Sequence, residues 1–366
     1  MMDLESKKQK YLKSRKRKLP FLISEIPSDE DIDSYLTDLK LVTAKGSPAS
    51  EHTISGKRYA LLAFKGWQWW EQKKKNKNLT PDKAKYLPWS QVKKEHVKKY
   101  MLWLFSLDYT QTSISGLLSD LRAFFNWMLK NKKITACQYC GGKIKKFLIG
   151  NTIRYICKEC DNFINPIDDI KIPKRQRRND PVLTLEELNK ILEHIKLKTW
   201  KKLRNEVLLR LLIETGARIS EILSIGVDPR KCDNYIDFKR GVVVFRKTKG
   251  KQRIKLEKPL TNKTLSVCLD YVLSKKDKFT YIFDIKRETA LKNLYLWAEK
   301  AGINKNVYLH LIRATWATNF WKKIKSEIAL QKAGGWTSDA YKAYIRYSEE
   351  DIFEMTKSFV SELEEV

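Results

Sequence analysis

The stretch that decides the reading is VYLHLIRATWATNFWKKIKSEIALQKAGGWTSDAYKAYIRYS, residues 307–348. Val307, Leu311, Ala314 and Thr318 keep roughly helical spacing, which predicts a helix, a second helix, a break at Gly334-Gly335 and a third helix. His310 and Arg313, three residues apart, share one helix face. Trp336 follows the break and Tyr344 lies eight residues further on, with Tyr341 and Tyr347 three residues to either side on the same helix. Singly, these are ordinary core residues. A second stretch, LLIETGARISEILSIG at 211–226, gives them company: Arg218 and Glu221 are the only charges between Glu214 and Asp228, inside an apolar run. A buried arginine is costly unless paired. Two guanidinium groups, Arg218 and Arg313, make a fork pair suited to the non-bridging oxygens of a phosphodiester.

The order TGARISEIL (215–223), HLIR (310–313), GGW (334–336) and then Tyr344 resembles the tyrosine recombinases of the phage-integrase family, which cut and rejoin DNA through a phosphotyrosine. The 23-residue spacing from Arg313 to Trp336 is the family's own. The family's tyrosine usually follows the His or Trp by nine residues, where this chain has Ile345; Tyr344, at eight and followed by Ile-Arg, is taken as the nucleophile. The resemblance implies a role for each residue. Arg218 and Arg313 clamp the phosphate, and His310 hydrogen-bonds it or assists proton transfer. Trp336 stands where His is common, offering an indole N–H and no titratable proton. Glu221, one turn beyond Arg218, orients the basic side chains. In the family a β-hairpin lysine protonates the leaving 5′ oxygen; here that is Lys249, with Lys247 the second candidate. Because a 3′-phosphotyrosyl link retains the bond's energy, neither ATP nor a catalytic metal is expected. The expected partners are double-stranded DNA and further copies of the chain, as a tetramer on two sites, in the integrase of a mobile element. Rival readings are a telomere resolvase or type IB topoisomerase-like enzyme, and a catalytically silent DNA-binding regulator.

Composition agrees with a nucleic-acid partner. The formal net charge is +30 in 366 residues, which calls for a polyanion. Hydrophobic content of 42% with 11 Trp, 16 Tyr and 14 Phe argues against wholesale disorder. No run approaches the length of a membrane span, and the N-terminus lacks a signal peptide's apolar core, so a cytoplasmic, nucleoid-associated protein with no membrane partner is expected. Four of the six cysteines, Cys137, Cys140, Cys157 and Cys160, form two Cys-x-x-Cys pairs around a hairpin-like run. Four thiolates so spaced suit structural zinc in a ribbon with no open position for catalysis.

The expected fold is mainly α with a small β-hairpin or sheet. Residues 1–27 read as a basic arm and 28–133 as a helical core-binding (SAM-like) domain. Its aromatic stripe is core, and Lys57, Lys73–Lys75, Lys93 and Lys94 are left to face DNA. A four-cysteine zinc ribbon is inserted at 134–163, followed by a basic linker at 164–181. Residues 182–348 are the mixed α/β catalytic domain, opened by a capping box at Thr184–Glu187. Within it, 235–260 alternates like strands around a turn at Lys249-Gly250. Residues 349–366 form an acidic helix with an apolar stripe that docks on a neighbouring copy or on its own domain.

Overall fold

The computed structural model describes residues 19–41, 48–149, 152–172, 180–195, 200–246, 255–274, 280–336, 338–347, 353 and 356–357, with the side chains of 200–202 left out. The chain divides into two compact units, Met1–Gln176 and Arg177–Val366.

The first unit is a helical bundle. Helix α1 (Glu30–Leu41) starts where Asp29 accepts the Ile32 N–H at 2.9 Å, with three acids in its first turn. Helix α2 (Glu51–Lys73) is capped by Ser50 and α4 (Gln111–Lys130) by Thr110, each side chain accepting the N–H three residues on. A 3-10 turn at Trp89–Gln91 precedes α3 (Lys94–Ser106), which starts where it does because Lys93 is extended and its N–H is taken by His96 Nδ1 at 3.0 Å. The aromatic residues are core: Phe64, Trp89, Tyr100, Phe124 and Phe125 meet largely edge-to-face with centroids 4.8–5.9 Å apart. Leu19, Phe21 and Ile26, from the stretch read as a basic arm, are buried in this same core. Lys57 is not a free DNA-facing lysine: it pairs with Asp120 at 2.9 Å and is mostly covered. Lys74 is paired with Glu71 and Lys94 with Asp169.

Strands β1 (Ile144–Ile149) and β2 (Thr152–Cys157) form the antiparallel hairpin read from the sequence, with Ile144 opposite Cys157. The hairpin's base is not a separate body. Cys137, Cys157, Ile164, Ile167 and Ile170 join the bundle's core cluster. The Asp168 side chain, 2% exposed, receives Arg154 at 2.6 Å and Arg122 of α4 at 3.4 Å.

The second unit begins at α5 (Leu185–Ile195) with the expected capping box, Thr184 N–H donating to Glu187 and Glu187 N–H to Thr184 Oγ1. Helices α6 (Trp200–Thr215) and α7 (Ile219–Leu223) lead into a four-stranded sheet of β3 (Ile225–Gly226), β4 (Asn234–Asp237), β5 (Val242–Phe245) and β6 (Leu256–Pro259). Strands lie in that order; β3 and β4 run parallel and the other pairs antiparallel. The sequence pattern suggested one turn in 235–260, but a second lies at 238–241, where Gly241 has φ +68° and separates β4 from β5. Helices α8 (Asn262–Ser274), α9 (Arg287–Lys300), α10 (Leu309–Ile324) and α11 (Glu327–Gly334) complete the unit. The turn at Lys249-Gly250 and nearly all of the acidic segment 349–366 lie outside the described residues. Among the described residues no helix is long and apolar enough to cross a membrane.

Candidate active site

The turn between α6 and α7 is built for close approach. Thr215 Oγ1 donates back to the Leu211 carbonyl at 2.5 Å and accepts the Ala217 N–H at 3.1 Å, closing the helix end. Gly216 has φ +56°, and a Cβ there would lie 2.3 Å from the Trp316 ring. Both sterics and backbone therefore require glycine at this point. Arg218 is the N-cap of α7. Its backbone N–H donates to one Glu221 oxygen at 2.7 Å and its Nη1 to the other at 2.9 Å. Glu221 is 8% exposed, so a single buried carboxylate fixes both the backbone and the side chain of Arg218.

Arg313 on α10 is 2% exposed. Its Nη1 donates to the Gly216 carbonyl at 2.5 Å and its Nη2 to the Gly334 carbonyl at 2.8 Å. The guanidinium thus bridges the α6–α7 turn and the end of α11. There Gly335 (φ +65°) reverses the chain, and Gly334 leaves room for the Trp336 ring, which a Cβ would meet at 1.6 Å. Trp336 lies with its ring 4.2 Å from Arg313 Cζ, and the Tyr344 ring is 5.4 Å from the same atom. Burial, followed by repulsion from Arg218, lowers the Arg313 pKa to about 10, while Glu221 and Tyr344 oppose the fall. At neutral pH the group keeps its charge. The Arg313 Nε–H and the Trp336 indole N–H are buried donors with no hydrogen-bond partner among the described residues.

Tyr344 completes the cluster, its ring 5.3 Å from Trp336 and 6.4 Å from the exposed His310 in the first turn of α10. Thr318 Oγ1 donates to the Tyr344 carbonyl at 3.2 Å and accepts the Arg346 N–H at 3.1 Å. The expected helix carrying Tyr341, Tyr344 and Tyr347 is absent. A 3-10 turn, Asp339–Ala343, ends just before Tyr344, and 345–347 have no regular structure. The two tyrosines consequently face different groups. Tyr341 is 3% exposed and donates to Glu327 at 2.6 Å, a bond that raises its pKa and is reinforced by burial.

Of the residues read from the sequence, Arg218, Glu221, His310, Arg313, Trp336 and Tyr344 come together. Lys247 and Lys249 lie outside the described residues. One cation was missed: Lys258 on β6 is 6% exposed, donates to the Thr215 carbonyl, and sits with Nζ 4.3 Å from the Trp316 ring centroid. The alternation of KLEKPL (255–260) carried its signal, since Lys258 falls in phase with Leu256 and Leu260 on the apolar side.

In the first unit the four Sγ atoms of Cys137, Cys140, Cys157 and Cys160 lie within 4.8 Å of one another. The closest pairs are 3.4 and 3.6 Å, near the roughly 3.8 Å between sulfurs around a tetrahedral zinc. The backbone N–H groups of Tyr139 and Glu159 point at the sulfurs two residues earlier, each at 3.4 Å. Asn162, through its backbone N–H and then its amide, draws the Cys160 thiol down to about 6. These residues can hold a metal ion.

A mainly helical unit with a small sheet, gathering two arginines, a histidine, a tryptophan and a tyrosine, is the architecture of a tyrosine recombinase. Residues 181–350 match the phage integrase family. The tyrosine recombinase XerA of Saccharolobus solfataricus is 30% identical over 190 residues, 50% of this chain and 59% of that one. XerD of Shewanella oneidensis is 22% identical over 303 residues, 80% of this chain and 83% of its own. Among solved structures, XerH recombinase bound to its difH substrate superposes with a TM-score of 0.58 at 16% identity, covering 92% of this chain and 90% of that one. The Tn1549 transposon integrase with circular intermediate DNA gives 0.58 at 15% identity, covering 91% and 100%. The fold is theirs.

Proposed function

We propose that this protein is a site-specific DNA recombinase that cuts and rejoins duplex DNA through a 3′-phosphotyrosyl intermediate. The observation that carries the reading is Tyr344 packed against Arg313, Trp336 and His310 in one cluster. Tyr344 Oη attacks phosphorus as the bond to the 5′ oxygen breaks, and the released oxygen takes a proton. Such transfers are catalysed chiefly by positioning and by stabilising charge. Arg218 and Arg313 face the non-bridging oxygens, Glu221 holds Arg218 in place, and His310 hydrogen-bonds the phosphate or moves the Tyr344 proton. Lys249, or else Lys247, supplies the leaving-group proton. The reverse step rejoins the strand without ATP or a catalytic metal.

Strand exchange requires two duplexes, so the working form is a tetramer on paired sites, acting in the nucleoid as the integrase of a mobile element. The four-cysteine cluster holds structural zinc, which ties the segment around the hairpin together; four sulfurs leave no position open for chemistry. DNA-bound relatives of the same fold support the duplex partner.

Covalent trapping tests the reading. Wild type and the Tyr341→Phe, Tyr344→Phe and Tyr347→Phe variants are incubated with nicked suicide duplexes made from the DNA flanking the gene, without metal or ATP. An SDS-resistant protein–DNA adduct lost only in Tyr344→Phe is expected. Loss in a neighbouring variant instead moves the nucleophile. Tight binding with no adduct from wild type would favour a silent DNA-binding regulator.

A further inference from the structure

Lys258 is a buried ammonium that none of the roles above uses. It stands opposite Val243 in the sheet register and is 6% exposed. No carboxylate pairs with it among the described residues. Leucine or methionine would fill that space without the cost of burying a charge. What it touches is specific. Its Nζ donates to the carbonyl of Thr215, and Arg313 Nη1 donates to the next carbonyl, Gly216, at 2.5 Å. The turn that ends in Arg218 is thus held through consecutive carbonyls by two cations, one from the sheet and one from α10. Trp316 closes the third side, 4.3 Å from Lys258 Nζ and against the Gly216 backbone.

We propose that Lys258 is a positioning residue for the phosphate clamp: its ammonium pins the Thr215–Arg218 turn so that Arg218 and Arg313 present their guanidinium groups together. This role rests on the recombinase reading. The charged groups around Lys258 are Arg313 on α10 and Arg218 and Glu221 at α7; the two arginines oppose its charge and Glu221 favours it. Burial and the Arg313 charge bring its pKa down to about 7, so the free protein holds this ammonium only in part at neutral pH. A phosphodiester placed on the arginines adds negative charge beside it and favours the protonated form. The device therefore strengthens when substrate binds.

The test is single-turnover adduct formation on the nicked duplex, from pH 6.5 to 9.5, for wild type, Lys258→Met and Lys258→Arg, with folding checked by circular dichroism. Taking the ratio of wild type to Lys258→Met cancels pH effects common to both, including tyrosine deprotonation. The ratio is expected to be about tenfold or more at pH 6.5, a scale typical of misplaced catalytic groups. It should fall steadily as pH rises above 7. Lys258→Arg, permanently charged, should recover part of the rate and lack that limb. A ratio that is constant with pH, or equal to one throughout, overturns the proposal and leaves the recombinase intact. No adduct from wild type at any pH overturns both. Should Lys258→Met fail to fold, wild type against Lys258→Arg decides by the presence or absence of the same limb.

Discussion

At residue scale, the contrast between Tyr341 and Tyr344 shows how a site is selected among equivalent-looking side chains. Tyr341 spends its hydroxyl on Glu327, whereas Tyr344 faces Arg313 and His310. Tyr341→Phe is expected to cost about 1 kcal/mol, read as a lower urea midpoint, while adduct formation survives. Gly216→Ala forces both a left-handed backbone and a collision with Trp316, and is expected to destabilise the second unit by about 2 kcal/mol or more. Lys258 adds a pH-dependent term of definite sign. Its folded pKa of about 7 lies below the usual 10.5 of a free lysine. Its destabilising effect is therefore fully present below pH 7 and fades as pH climbs from there toward the unfolded value. Lys258→Met should accordingly raise the melting temperature, most at and below pH 7, with the gap to wild type narrowing at higher pH. A mutant less stable than wild type at pH 6.5 would contradict this account of the buried ammonium.

At the scale of elements, one device starts a helix and another ties a loop segment into a core. The capping box at Thr184–Glu187 starts α5 with reciprocal bonds, and Thr184→Ala should cost about 1 kcal/mol in equilibrium unfolding of the second unit. The cysteine-bearing segment is a different case: its two knuckles enter the bundle core, and Asp168 ties it to α4 through Arg122. Metal removal should therefore loosen the first unit beyond the hairpin. Purified protein is expected to carry one zinc per chain. Stripping it with a chelator, or substituting Cys157→Ser, should expose 134–170 to protease while leaving the second unit's unfolding unchanged. Protein without metal that resists protease equally well would refute a structural zinc.

At the scale of the whole molecule, charge governs the encounter with DNA. Seven of the chain's acids fall in 349–366 with one lysine, so the remainder carries a charge more positive than the overall +30. Binding to duplex DNA should be steeply salt-dependent. If six or more phosphates are contacted, affinity measured by fluorescence anisotropy should fall by about a thousandfold or more between roughly 50 and 200 mM salt.

The sequence by itself determined the mainly helical class, the hairpin between the cysteine pairs, the capping box at Thr184–Glu187, the four-cysteine cluster, and Arg218, Glu221, His310, Arg313 and Trp336 as residues that the structure brings together. Each of these is local or periodic: helical spacing, a capping box, Cys-x-x-Cys pairs, and short motifs whose residues fold together as units. Only the tertiary structure decided that Tyr344 faces Arg313 while Tyr341 turns to Glu327, because a 3-10 turn ending at Ala343 turned what read as one helix face into two directions. It likewise decided that Lys57 is spent on Asp120, and that Lys258 lies behind the clamp. Those outcomes depend on what elements distant in the chain bring to the same place, and on the cost of burying a charge there, which a lysine's position in a strand can hint at but only its packed neighbours can set.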